Sequence, residues 1–377
     1  MIYVVKTNAY EVIRLKLAIY GAQGYALGAF EALKTLYPRR SILCFLVSAI
    51  GDNASKLGDI PVRELAHFSD SMTCEEKRDV EVLIATPENV QPEIEEALEN
   101  YGFCYHRRLD SGRWAELMKM FHIKLGRFLP LAALPVGYNK PFTRIYVAKS
   151  HKDKPLKSNP LLADYVYPIQ VGAANTEAKI AELADDWGEN ISLKNVNYSE
   201  LTGLYWIWKN KLTVTGIAGS EKMQYYGFAQ YRRMLDISED DLLRLVDNEV
   251  DVLLPYPMPY EPNIHRHHER YLKEVDWDAL LTALSELQPE YAYVFSSILQ
   301  QRYMYNYNVI LAKKAVLREY CEWLFPILER TEELSVPQGS KRADRYIGYI
   351  GETLETLYFI KNADRLNIVH TECKLYV

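Results

Sequence analysis

The sequence is poor in the features that settle a protein's class at a glance. Its five cysteines, Cys44, Cys74, Cys104, Cys321 and Cys373, are scattered and never form a C-x-x-C spacing. Neither a disulfide framework nor a cysteine-rich zinc site is expected, and a reducing compartment is. No apolar run approaches the roughly 20 residues that cross a bilayer. The opening MIYVVKTNAY lacks both a basic leader and a small-residue cleavage site. A cytoplasmic protein is therefore expected. Positive charge is not in excess: 44 Lys and Arg face 50 Asp and Glu, a formal net charge of -6. Phosphate backbones reward a basic face, so no nucleic-acid partner is expected. Internal repeats and low-complexity tracts are also missing.

What remains is an ordinary globular composition, 49% apolar and 25% charged over 377 residues. That length exceeds one typical core, so two domains are expected. Tyrosine is the outlier: of 29, 7 precede residue 136 and 22 follow it. Its ring packs like an apolar group and stacks on sugars and bases, while its hydroxyl bonds polar edges. Ordinary core packing explains any single one.

From Lys16 to about Tyr105 short apolar runs alternate with helical stretches, the pattern of a small parallel α/β unit. KLAIYGA, SILCFLVS and EVLIAT read as strands, GYALGAFEALKTLY and ENVQPEIEEALENYG as helices, and GDIPVREL as a turn feeding a helix. Glycines at 21, 24 and 28 stand where the first strand enters a helix, a place where backbone N–H groups can meet a phosphate. The spacing is not G-x-G-x-x-G and Asp52 is a poor ribose-binding acid, so the glycines read first as turn and packing residues and NAD is not expected. Residues 114–141 read as a locally basic amphipathic helix and a proline-bearing segment that connect a Rossmann-like domain, 1–138, to a second domain, 139–377. Docking between domains outweighs a membrane-surface role there, because Lys119, Lys124 and Arg127 supply only weak attraction to anionic lipid.

The second α/β pattern starts at Thr143. RIYVAKS and YVYPIQVGAA read as strands and GENISLKNVNYSELTGLYWIWKN as one long helix. YYGFAQYRRML and VDVLLPY read as strands, DWDALLTALSEL as a helix, YNYNVILAKKAVLREYCEWLFPIL as strand into helix, RYIGYIGETLETLYFIK as a late helix and NIVHTECKLYV as a closing strand. On a continuous strand Arg232 and Arg233 point to opposite faces, and either guanidinium suits a diphosphate or an ion pair equally. The stripe Tyr198, Leu201, Tyr205, Trp208 reads as the core face of a helix, and Glu200 within it as a solvated or salt-bridged acid. Asn190, Lys194 and Asn195 cluster at that helix's start, where an anion could be met. His265, His267 and His268 lack H-E-x-x-H and a nearby cysteine, so zinc is disfavoured. They read as phosphate or acceptor donors or as a solvated loop. Asp276 and Asp278 form a D-x-D at a helix start, where capping is the better account. Asp344 and Glu352 are further acids able to take a proton.

Together IYVAKSHKD, YPIQVGAA, GENISLKNVNYSELTGLYWIWKN, YYGFAQYRR, VLLPYP, DWDAL, PEY, YNYNVILAKK, EYCEWLFPIL and GYIGE, from about Thr143 to Lys361, resemble a bacterial capsular and exopolysaccharide biosynthesis family long labelled a domain of unknown function. Some members look like galactofuranosyltransferases. The resemblance implies a GT-A-like glycosyltransferase domain behind the Rossmann-like one. It implies transfer of a hexose, best matched by galactofuranose, from a UDP-sugar to a lipid-linked capsular, exopolysaccharide or O-antigen glycan, at the inner face of the cell membrane. The family's HYRR is QYRR here, with Gln230 for the histidine, and its GER is Gly351-Glu352-Thr353.

By that resemblance His151, Lys152, Val171 and Gly172 hold the uridine. Asn190, Lys194, Asn195, Tyr198, Gln230, Arg232 and Arg233 hold the diphosphate and donor sugar. His265, His268 and Asn308 meet the acceptor or a phosphate, and Glu352 or Asp344 takes the acceptor's proton. No cofactor beyond the donor is implied, and a divalent metal is left open. The competing readings are a non-catalytic nucleotide-sugar-binding scaffold of polysaccharide assembly and, more weakly, a nicotinamide enzyme.

Overall fold

A computed structural model describes residues 16–156, 161–213, 223–335 and 342–376. The chain divides into two compact units, Met1–Arg127 with Pro259–Pro262, and Phe128–Met258 with Asn263–Val377.

The first unit is built on five parallel strands, β1 (Lys16–Tyr20), β2 (Ile42–Val47), β3 (Ile60–Glu64), β4 (Val80–Ile84) and β5 (Tyr105–Arg108). They lie in the order β3-β2-β1-β4-β5, the doubly wound order. Helix α1 (Gly24–Leu36) follows β1, α2 (Gln91–Asn100) follows β4, and α3 (Ser111–Leu125) follows β5. GDIPVREL is thus a strand rather than a turn, because Val62 pairs with Phe45 of β2. Asp110 caps α3 by accepting from the Arg113 N–H at 2.9 Å, and Gly126 ends it in the left-handed region. Trp114, Leu117, Met118 and Phe121 are its buried face, and Trp114 packs edge-on to Tyr25 of α1. The amphipathic stripe of this segment is therefore spent inside the unit. Among the described residues no helix is long and apolar enough to cross a membrane.

The second unit centres on a sheet of nine strands. They are β6 (Phe142–Lys149), β7 (Val166–Gln170), β8 (Leu183–Ala184), β9 (Gln224–Gln230), β10 (Arg233–Leu235), β11 (Val252–Pro255), β12 (Ile310–Lys313), β13 (Ile368–Thr371) and β14 (Cys373–Leu375). The order is β13-β11-β12-β9-β6-β7-β8, with β10 pairing β9 and β14. Side chains alternate as strand geometry demands. Ile145, Val147, Tyr225 and Ala229 join one buried cluster with Leu131, Leu242 and Leu253. Tyr146 of the opposite face packs against Trp206, and Phe228 lies close to Gly203.

The helices are α4 (Asn195–Tyr198), α5 (Leu201–Ile207), α6 (Glu239–Asp247), α7 (Ile264–His268), α8 (Glu274–Leu287), α9 (Pro289–Leu299), α10 (Lys314–Leu334) and α11 (Tyr346–Lys361). Expectations change at the closing strand and at the long helix. The closing strand is two strands, β13 and β14, because Glu372 breaks the ladder between their partners. The long helix from Ser192 is interrupted at Ser199, and that break shapes the site.

Candidate functional site

Parallel neighbours β6 and β9 end side by side at Lys149 and Gln230, where Ala148 and Gln230 are in register. In open α/β sheets this carboxyl edge is where ligands bind. Beyond β6 the chain turns tightly, the Ser150 N–H donating to Asp153 Oδ2 at 2.7 Å. Beyond β9 it reverses through Tyr231 and Arg232 into β10, so that Gln230 pairs with Arg233. Arg232 therefore lies in a hairpin turn and Arg233 opens the returning strand, instead of the two alternating along one strand. Arg233 lies over the Tyr307 ring, 4.3 Å from its centroid. Arg232 lies over Tyr231 at 5.1 Å.

Between α4 and α5, Ser199 has φ 51° and ψ -132°, a backbone state that a β-carbon disfavours. Asn195 holds the break by donating from Nδ2 to the Ser199 carbonyl at 2.6 Å, and Arg345 donates from Nε to the Ser199 hydroxyl at 2.8 Å. Helix α11 can lie against the break because it offers glycines there: a β-carbon on Gly351 would stand 2.6 Å from Leu201 Cδ1, and one on Gly348 3.2 Å from Ser199 Oγ. The next residue, Glu200, is turned inward instead of riding a solvated helix face. Its Oε1 accepts from Gln230 Nε2 at 2.8 Å and from Asn308 Nδ2 at 3.0 Å. The Arg345 guanidinium stands 3.8 Å from Oε2.

Three carboxyl groups meet here. Burial raises the Glu200 pKa, opposed by the Asn308 and Gln230 donors and by Arg345. Burial and the charge of Glu200 push Glu352 up to about 8, against the donating Tyr307 backbone N–H and the nearby Arg345 and Arg233. Glu355, one turn further along α11, is 1% exposed. Neither of its carboxyl oxygens has a hydrogen-bond partner among the described residues, and burial with Glu352 and Glu200 raises its pKa well above the usual range. Like charges so close cannot all ionise. The arrangement can take up and give back a proton near neutral pH beside two guanidinium groups.

Backbone strain collects at the same place. Among the described residues five non-glycine residues have positive φ, and four of them surround Glu200: Ser199 (51°), Tyr307 (73°), Asn308 (50°) and Arg345 (64°). Such conformations each cost on the order of 1–3 kcal/mol and gather where a site must be held in a fixed shape.

The other candidate residues fall into three groups. His151 and Lys152 are exposed in the turn after β6, near Asp153, whose pKa burial raises while Arg232, Lys149 and Arg345 lower it. Val171 is buried beside Gly203. The Gly172 and Ala173 N–H groups donate to the buried Asp185 carboxylate at 2.9 and 3.0 Å. Asn190 bonds its own turn. Lys194 and Tyr198 both reach Glu332 of α10, at 2.6 and 3.1 Å.

The third group lies around α7 and α8. His265 stands 3.7 Å from Glu274. His268 is 1% exposed, and burial together with His267 and His265 lowers its pKa to about 3. It is neutral at physiological pH and offers an anion no charge. Asp276 is not the N-cap of α8 but the third residue of its first turn, accepting the Lys273 N–H at 2.9 Å, and its buried carboxylate pairs with Arg342. Asp344 bonds the same guanidinium at 2.6 Å.

The structure thus brings together Gln230, Arg233, Asn308 and Glu352. To these it adds Glu200, Arg345 and Glu355, which spacing alone does not single out. The one available signal is on α11, where Gly348, Gly351, Glu352 and Glu355 recur at helical spacing.

Comparison with curated proteins finds no match. A solved apo structure of the WbbM bifunctional glycosyltransferase is similar over 62% of this chain, with a TM-score of 0.51 and 29% identity. The match spans 45% of that protein, less than half its length. The α/β fold class expected from the sequence is borne out by this likeness and by the parallel-rich sheets. A family model, described as a domain of unknown function, DUF4422, matches residues 144–363, which hold every carboxylate of the cluster. The chain belongs to the DUF4422 family.

Proposed function

We propose that this protein is a glycosyltransferase that moves a hexose from a UDP-sugar to a glycan acceptor. The observation that carries the reading is the half-buried Glu352 carboxyl beside Glu200, faced by Arg233 and Arg345, in a family and fold similar to a glycosyltransferase. In the reaction an acceptor hydroxyl attacks the anomeric carbon and a new C–O bond forms. The bond from that carbon to the diphosphate oxygen breaks, and its electron pair leaves with UDP. Glu352 takes the hydroxyl proton, while Arg233 and Arg345 meet the charge that develops on the diphosphate. Arg232 and Lys149, which lower the pKa of Asp153, add positive field at the strand edge.

Galactofuranose is the preferred donor sugar and a lipid-linked capsular, exopolysaccharide or O-antigen glycan the preferred acceptor. Both choices rest on the family resemblance of the sequence. Work on a lipid-linked acceptor places the protein at the inner membrane face without requiring a membrane span. Glu352 is preferred over Asp344 as base, because Asp344 is bonded to Arg342.

The test is calorimetric titration of UDP in EDTA and again with manganese, for the native protein and Arg233→Ala, followed by UDP release from a panel of UDP-hexoses. Metal-independent binding lost in the variant supports arginine-held diphosphate. Binding only with manganese assigns part of that role to a metal. No binding in either condition moves the protein to the scaffold reading.

A further inference from the structure

Beside the carboxylate cluster lies a tyrosine pair that proton transfer and diphosphate binding leave unused. On α11 Tyr349 and Glu352 are three apart and so share one helix face, and Arg345 is the left-handed residue just before the helix. Arg345 is 6.0 Å from the Tyr349 ring centroid, and the field of Glu352 and Glu200 reaches the Tyr349 hydroxyl. Tyr271, from the connection between α7 and α8, stacks on Tyr349 with centroids 4.5 Å apart and planes 18° from parallel. His267 meets the Tyr271 edge. Tyr271 nevertheless remains 42% exposed. By contrast, the stacked pair Tyr291 and Tyr358 lies in the core, 8% and 1% exposed. Among the described residues neither the Tyr271 nor the Tyr349 hydroxyl has a hydrogen-bond partner.

Such a pair presents a rigid apolar face with unspent hydroxyls at its rim. A sugar ring matches it: its C–H face is apolar and its edge is all hydroxyls. A ring resting there is carried by α11, the helix that also carries Glu352. We propose that Tyr271 and Tyr349 form the platform for the acceptor's terminal sugar, a neutral pyranose or furanose ring laid C–H face down so that one hydroxyl meets Glu352. The proposal deepens the glycosyl-transfer reading and rests on it. Tyr349 shares its helix face with Glu352, the group that takes the acceptor's proton, and this assigns the platform to the acceptor and not to the uracil.

The experiment uses n-octyl β-D-galactoside and n-octyl β-D-glucoside as acceptors with the native protein, Tyr271→Ala and Tyr271→Phe. Acceptor KM, kcat, direct glycoside binding by saturation-transfer NMR and UDP affinity by calorimetry are read for each. The expected result is an acceptor KM raised about tenfold in Tyr271→Ala, a smaller change in kcat, loss of the saturation-transfer signal, unchanged UDP affinity, and recovery in Tyr271→Phe. An unchanged KM and signal, or UDP affinity falling alongside them, overturns the platform. If the native protein releases UDP from no donor, the transfer reading fails. The platform is then judged by glycoside binding alone, its absence in the native protein overturning it.

Discussion

Glu352 stands where burial and the charge of Glu200 both favour the protonated acid, with a pKa of about 8. A base must be unprotonated, so turnover is expected to climb with pH and level off above about 8. Glu352→Gln should lower it by about a hundredfold or more at every pH and abolish the climb, read from initial rates of UDP release between pH 6 and 9. Stability moves the other way. The folded-state pKa is raised above the unfolded value of about 4.3, so the contribution is full below that value and is lost as pH rises through the folded one. Every tenfold gain in proton affinity on folding is worth about 1.4 kcal/mol. Urea midpoints of the native protein should therefore fall between pH 6 and 9, and those of Glu352→Gln should fall less. Arg233→Ala should weaken UDP binding by tenfold or more, the scale of one charged hydrogen bond, while leaving the urea midpoint nearly in place. Equal losses of binding and folding would return Arg233 to a structural role.

At the scale of elements, the decisive feature is the interruption of one helix. Tyr198, Leu201, Tyr205 and Trp208 have helical spacing, and nothing local to them announces a stop. The stop is held locally by Asn195, four residues upstream, and from afar by Arg345 and the close approach of α11. Periodicity therefore reports most strands and helices, but it misses the strands Ile60–Glu64 and Tyr105–Arg108 and keeps Glu200 on a solvated face, because a tertiary contact decides its direction. The YRR turn failed for a similar reason: a hairpin needs no glycine when β14 lies ready to pair with β10. Glu352 was legible as a free acid in the late helix, and Gln230, Arg233 and Asn308 through the family pattern. Arg345 has no sequence signature, and Glu355 has only its helical spacing from Glu352. Gly351→Val tests the element argument. Its side chain would crowd Leu201, destabilising the protein by about 1–3 kcal/mol in urea and, by prising α11 from the break, lowering turnover by more than that loss of folded protein explains.

Across the whole molecule the two units have separate buried clusters, one around Ala18, Phe68 and Val82, the other around Ile145, Tyr225 and Leu311. Of the six tryptophans, Trp114 alone lies before residue 128, so each unit can be followed by its own fluorescence. If the donor site belongs to the second unit, UDP at about a hundred times its Kd should stabilise that unit by about 2.7 kcal/mol and raise its melting temperature. The transition reported by Trp114, in a variant with the other five replaced by phenylalanine, should stay where it is. Movement of the Trp114 transition by the same amount would mean that the units unfold together or that UDP binds the first. The carboxylate cluster has an order of assembly as well as a geometry. Its parts come from residues 199–200, 230–233, 307–308 and 345–355, and β13 and β14 follow later still. A chain emerging from the ribosome at about 5–20 residues per second can complete its first unit and the strand edge of its second while Arg345, Glu352 and Glu355 are still in the tunnel or unmade. The cluster is complete only once α11 has emerged, and a nascent chain stalled before α11 displays the strand edge of the second unit without Arg345, Glu352 or Glu355.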